Sequence, residues 1–186
     1  ENGIDLRFVR TDKVGQTGLA VILVENDGSN RIIVYPGANM RISEGDVESA
    51  FTCCPDAVMA QLESGEDVAV YASQLAADEA IPFILDGGGA RSDFRLNKLA
   101  KVDIFSPNEI ETALITGIRP DTLDDCLRAS MAICSQTDVR YVVLKLGARG
   151  CYVYDGKYCD LIAPFVVQAV DTTAAGDAFT AALATE

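Results

Sequence analysis

The chain has 186 residues, 49% of them hydrophobic, which suits one domain with a full core and argues against a disordered polypeptide. Its formal net charge of -13 sets it against nucleic-acid backbones and anionic bilayers as main partners, because both would repel it. Histidine is absent, which excludes Ser-His-Asp and Cys-His catalysis, HExxH zinc sites and histidine-ligated haem within this chain and leaves acid–base work to carboxylates, lysine or water.

At the front, ENGIDLRFVR lacks the basic-then-apolar pattern of a secretory signal, and no later apolar stretch approaches the about 20 residues needed to span a bilayer, so a soluble, cytoplasmic protein is expected. Residues 1 to about 37 read as β structure. GLAVILVENDGSNRIIVYPG is two apolar, β-branched runs joined by Asn26-Asp27-Gly28-Ser29-Asn30, a loop with the Asp-Gly hairpin signal, which predicts an antiparallel ribbon. From about residue 43 short apolar runs alternate with amphipathic stretches: DAVMAQ, EDVAVYASQLAADEA, IPFIL, a helix near DFRLNKLA, then VDIFS. Such alternation predicts right-handed βαβ units and a mainly parallel, helix-covered sheet. The chain thus divides into a ribbon portion, 1–37, and an α/β core, 38–186.

DGGGAR fails the GxGxxG spacing, and GCYVYDGKY fails that of a P-loop. Following IPFIL, the glycines read as a flexible turn at the carboxyl edge of the sheet, where ligands of such folds bind. A helix opens at Pro107-Asn108. Another follows Asp121, whose side chain caps it ahead of Leu123, Leu127, Met131 and Cys134 on one face. RYVVLKL is a further buried strand, and with turns at GARG and YDGK the stretch 140–162 reads as a meander closing one sheet edge. The six cysteines form no CxxC pair and read as reduced structural thiols, with Cys126 and Cys134 on a helical pattern that would bury them.

In VDTTAAGDAFTAAL, good helix formers resume after Gly176, so Ala174, Ala175 and Gly176 occupy the first turn or the loop entering it. Free backbone N–H groups and the helix dipole there seat an anion such as a phosphate, and small side chains let it approach closely. Asp177 at the rim would repel that anion unless it has its own task, and accepting the proton of an attacking hydroxyl is one. The spacing alone fits equally well an Asp171 or Asp177 that only caps a helix.

DTTAAGDAF resembles the signature of the ribokinase-like (PfkB) carbohydrate kinases, and is most similar to their ribokinase branch. The resemblance implies a three-layer α/β/α fold with a small β-ribbon lid, and transfer of the γ-phosphoryl group of ATP to the primary hydroxyl of ribose. Asp177 would be the base, with Ala174, Ala175 and Gly176 as the anion hole. SPNEIETALITG is similar to the family's N-x-x-E helix, which puts Asn108 near the nucleotide phosphates and lets Glu111 help organise magnesium. By itself NEIE is also an ordinary helix start. LKLGARG resembles the nucleotide-site turn, implying contacts from Lys145, Leu146, Gly147, Ala148, Arg149 and Gly150; ribokinases usually show Thr where Lys145 stands.

AQLES resembles the strand end whose glutamate contacts the sugar, which puts Glu63 in the substrate pocket, although a surface glutamate opening a helix reads the same way. YPGANMRIS is similar to the segment after the lid strands. Asp86 matches a position where relatives carry Asn or Asp, and its glycines replace a following Pro. Asp171 and Thr173 lie where ribokinases bind potassium, largely through main-chain oxygens, so a monovalent cation joins ATP and Mg2+ among the implied cofactors. The ribbon would be a lid over the sugar or the contact of a homodimer. The resemblance runs from about Val9 to Ala184. Relatives also carry first strands with a Gly-Gly sugar motif and later helices, so the chain reads as an incomplete central portion of a kinase. Other readings are a kinase for fructose, a ketodeoxy sugar acid or a nucleoside, an inactive binding fragment, or a doubly wound domain alike by chance.

Overall fold

The computed structural model describes residues 3–24, 30–168 and 171–185. Strands β1 (Leu19–Val24) and β2 (Asn30–Tyr35) pair antiparallel, from Leu19 opposite Tyr35 to Val24 opposite Asn30. The Asp-Gly loop expected between them lies outside the described residues. Because side chains alternate across a strand, the adjacent Val21, Ile22 and Leu23 point to both faces, and all three are exposed, as are Ile32, Ile33 and Val34. The backbone ladder joins the two strands.

The expectation of β structure throughout 1–37 fails before this ribbon, since residues 9–18 form no strand. Charged side chains clamp that segment to Arg41 and Asp46. Arg10 bonds Asp46 through Nε at 2.8 Å, and Asp12 Oδ2 accepts from Arg41 Nε at 2.6 Å. Asp46 belongs to α1 (Glu44–Phe51), a helix that sequence reasoning passed over; Ser43 caps it in a reciprocal box with Asp46.

The main sheet runs β3 (Val58–Gln61), β4 (Phe83–Asp86), β5 (Val102–Ser106), β6 (Val139–Lys145), β7 (Cys151–Tyr154), β8 (Cys159–Ile162), in chain order across the sheet. The first four strands are parallel; β7 and β8 turn antiparallel and form the expected meander at one edge. Helix α2 (Glu66–Asp78) makes the crossover from β3 to β4, and α3 (Glu109–Thr116) with α4 (Leu123–Cys134) that from β5 to β6. Together with α5 (Ala175–Thr185) they complete a three-layer α/β/α fold. Leu85, Val102, Phe105, Val142 and Leu144 are fully buried, as a parallel sheet covered on both faces requires.

Three local expectations change. DFRLNKLA forms a single 3-10 turn, Leu96–Lys98, flanked by extended Arg95 and Leu99, because Phe94, Leu96 and Leu99 all turn into the core and Ala100 N–H donates to Ser73 Oγ at 3.1 Å. Helix α4 is capped by Thr122, not Asp121, again in a reciprocal box, here with Asp125. Its buried face is Cys126, Ala129, Ser130 and Ile133, while Leu123 and Met131 are exposed; small residues let α4 lie close to the sheet, which a Leu and Met stripe would prevent. All six cysteines are free; Cys126 and Cys151 are buried, and burial pushes both thiols up.

Candidate active site

Parallel register brings the strand ends into one row. Gln61 pairs with Asp86 and Asp86 with Ser106, so β3, β4 and β5 end side by side, and Lys145 at the end of β6 bridges Asn108 just beyond β5. Ligands of such sheets bind outside these carboxyl ends. The DGGG loop leaves β4 here, and its glycines are there for close approach, not for the flexibility expected of them. A Cβ on Gly87 would lie 2.5 Å from Glu111 Oε2. Gly89, at φ +82°, would bring one to 2.5 Å from the Glu63 nitrogen, and Leu62 N–H donates to Gly88 O at 2.9 Å.

Two polar units meet at this loop. Asp86 is buried, and its Oδ2 accepts from Lys145 Nζ at 2.6 Å and from the Thr180 hydroxyl of α5, while Oδ1 accepts from Gly88 N–H at 2.9 Å. Asn108 caps α3: its Oδ1 accepts from the N–H groups of Ile110 and Glu111, each at 2.9 Å, and Glu111 accepts in return from Asn108 N–H at 2.7 Å and Nδ2 at 2.8 Å. Burial pushes the Glu111 carboxyl up; the Asn108 N–H and Lys145 oppose this, and Asp86 and Glu63 reinforce it.

Helix α5 begins where expected. Ala174 sits in the left-handed region at φ 62°, and Ala178 N–H returns to its carbonyl at 3.0 Å. Asp177 lies in the first turn, with Oδ1 accepting from Gln61 Nε2 at 3.0 Å. That bond ties the helix start to the end of β3. Beside it, a cavity of about 440 Å3 is lined by Asn108, Lys145, Gly147, Gly150, Ala175 and Gly176 among others, and one of about 260 Å3 by Gln61, Asp86, Asp177 and Thr180 with Met59 and Ala60. The first can take the phosphate end of a nucleotide, and the second places a carboxylate against whatever enters from the β3 side.

The model of the pfkB family of carbohydrate kinases matches residues 1–186. The chain belongs to that family. Among pfkB relatives, the ribokinase of Arabidopsis thaliana is 34% identical over 190 residues, covering 98% of this chain and 49% of that protein. The deoxyribokinase of Salmonella typhi is 28% identical over 179 residues, covering 95% and 58%. A solved structure of Arabidopsis thaliana ribokinase complexed with ribose and ATP superposes with a TM-score of 0.78 at 32% identity, covering 92% of this chain and 56% of that one. The chain spans about half the length of the curated relatives it matches.

Not every pfkB motif residue singled out in the sequence faces these cavities. Leu146 is buried in the core, so only its backbone can shape the turn: its N–H donates to Gly150 O at 2.9 Å and its carbonyl accepts from Arg149 N–H at 3.1 Å. Ala148 lines neither cavity. Arg149 turns away to bond Glu109 at 2.6 Å, Pro120 O at 2.6 Å and Asp121 O at 2.8 Å, which pins the 147–150 turn to the start of α3. Glu63 is exposed on the rim of a separate cavity of about 560 Å3, which also reaches Gln61. Asp171 and Thr173 are exposed, and Asp171 Oδ1 accepts from Thr173 N–H at 2.8 Å, which lowers its pKa.

For the implied metals, the donor sets differ. Both Glu111 oxygens are occupied by Asn108, which suits orientation of a hydrated magnesium rather than direct ligation. Asp171 has its side chain folded onto its own loop, so a cation there would use main-chain oxygens. No group of three or more acidic or thiol side chains is clustered to hold a metal among the described residues. Sequence reasoning missed Gln61 and Thr180. The signals were slight: Gln61 lies two residues before Glu63, and Thr180 lies one helical turn after Asp177, the i,i+3 spacing that shares a face.

Proposed function

We propose that the protein is an ATP-dependent sugar kinase that transfers the γ-phosphoryl group to the primary hydroxyl of ribose. The observation that carries this reading is Asp177, set in the first turn of α5 beside Ala174, Ala175 and Gly176 and held by Gln61 between the two cavities. The attacking oxygen forms its bond to the γ-phosphorus as the bond to the ADP oxygen breaks, and its proton passes to Asp177. If the transition state is loose, that proton leaves late, and an ordinary carboxylate suffices. The backbone N–H groups at the start of α5 receive the phosphoryl oxygens. Asn108, Lys145, Gly147 and Gly150 line the nucleotide side, with Leu146, Ala148 and Arg149 shaping the turn.

Glu63 and the residues near it form the sugar side, under residues 1–37 as a lid portion over the core at 38–186. Bound Mg2+ would neutralise the phosphates, with Glu111 orienting it indirectly, and a potassium ion would use the main chain at Asp171 and Thr173. The ribbon, apolar on both faces, is suited to pair with a second copy in a homodimer. Likeness to the deoxyribokinase favours deoxyribose as the alternative acceptor. ADP release by the natural-length protein with ribose, deoxyribose, fructose or a nucleoside, with Asp177→Asn as control, tests the reading. Ribose-dependent turnover lost in the variant is expected; turnover retained by Asp177→Asn overturns the assignment of the base.

A further inference from the structure

The proposed base does not account for one buried cluster at the strand ends. Lys145 ends β6, Asp86 ends β4, and Thr180 lies on α5; their side chains meet across the end of β5. The side chains of Lys145 and Asp86 are only 12% and 5% exposed. Taking two charges out of water is unfavourable, and well-packed apolar residues in their place often serve stability as well or better, so stability alone is a poor reason for the pair.

The two partners are unequally engaged. Asp86 accepts from three donors, Lys145, Thr180 and Gly88, so its carboxylate is fully engaged where it lines the smaller cavity. The Lys145 ammonium has three N–H groups and, among the described residues, gives one of them to Asp86 alone. It also lines the cavity shared with Asn108 and Gly176, and Nζ lies 3.5 Å from where a Cβ on Gly176 would stand. A cation with spare donors therefore borders the small-residue seat, and its counter-ion holds it there.

We propose that Lys145 contacts the phosphoryl group in transfer, and that Asp86, backed by Thr180, is the positioning residue that holds the ammonium at the seat; this rests on the kinase reading above. The Lys145 charge and N–H donors are prepositioned where negative charge lies between the seat and the departing diphosphate, whereas the acceptor proton goes to Asp177. Because the ammonium is already oriented, little reorganisation accompanies the step.

The test uses Lys145→Met, Asp86→Asn and their combination in the natural-length protein, with kcat and KM for ATP and sugar, and calorimetric affinities for ADP and a non-hydrolysable ATP analogue. Lys145→Met should lower kcat about a hundredfold. Its KM for sugar should stay within about twofold, and the analogue should lose more affinity than ADP. Asp86→Asn alone should lower kcat about tenfold, yet cost nothing further in the Lys145→Met background, since it acts through the lysine. Additive losses overturn the positioning role, and a Lys145→Met protein with unchanged kcat and analogue affinity overturns the contact. Should Lys145→Met not fold, Lys145→Gln is read in the same way. If the unsubstituted protein releases no ADP with any sugar, the kinase reading fails, and the binding arm decides alone: selective loss of analogue affinity supports the contact, and equal loss or none overturns it.

Discussion

The β1–β2 ribbon and the carboxyl edge of the main sheet are both built from strand ends and turns, yet they are held in opposite ways. In the ribbon, Val21, Ile22, Leu23, Ile32, Ile33 and Val34 are exposed and the backbone ladder is the bond between strands. At the edge, Gln61, Asp86, Lys145, Asn108, Glu111 and Asp177 are fixed by side-chain hydrogen bonds, and Gly87 and Gly89 between them leave no room for a methyl group. The ribbon's apolar residues are therefore left exposed, while the edge's polar residues are already held in place by one another. An exposed two-stranded ribbon is marginal by itself. A crowded polar edge tolerates little change.

Substitutions should follow that contrast. Asp177→Asn should have the largest effect, lowering kcat by about a thousandfold in the natural-length protein while ATP affinity holds, as steady-state kinetics with a binding titration would reveal. Gly89→Ala should come next: the left-handed φ and the Glu63 backbone beneath it predict a loss of about 2 kcal/mol or more, measurable by denaturant unfolding, with a raised KM for sugar from displacement of Glu63. An alanine there of unchanged stability would mean that the edge is looser than its geometry indicates.

Glu111→Gln should have a smaller, pH-dependent effect. The folded carboxyl titrates above its usual 4.5 because of burial, so the stability that the protonated acid contributes is full below that value and declines as pH rises through the folded value. The cost of Glu111→Gln, measured by thermal melts against pH, should therefore be greatest at acid pH and shrink towards neutrality. Smallest of all, Ile33→Lys in the exposed ribbon should change stability by no more than about 0.5 kcal/mol. If the ribbon pairs two copies, the same substitution should shift the solution mass from dimer to monomer in sedimentation; an unchanged mass would return the ribbon to the part of a lid alone.

Much of this was legible before any coordinates. The β-branched runs flanking 26–30 located the ribbon, and the alternation from DAVMAQ to RYVVLKL located the parallel strands and two of the three crossovers, because hydrophobic period and length separate strand from helix. DFRLNKLA misled, since three large apolar residues within a loop can fill the core without sharing a helix face. Helix α1 was passed over because its charged first turn lacks a strong apolar period, and its signal was the Ser43–Asp46 box. At the site, the small residues before Asp177 and the Asn108–Glu111 spacing were readable because a helix start needs only neighbouring residues to define it.

By itself, then, the sequence determined the local devices: the small-residue start of α5 at Ala174, Ala175 and Gly176, the capping box of α3, the glycine loop after β4 and the absence of histidine chemistry. Each depends on residues within a few positions of one another, where propensity and hydrogen-bond reach decide the outcome. Tertiary structure alone decided that Gln61 would hold Asp177 over a separation of 116 residues, and that Lys145 would reach Asp86 over 59. Strand order and register set those pairings, and register follows from burial across the whole sheet rather than from any short stretch of chain.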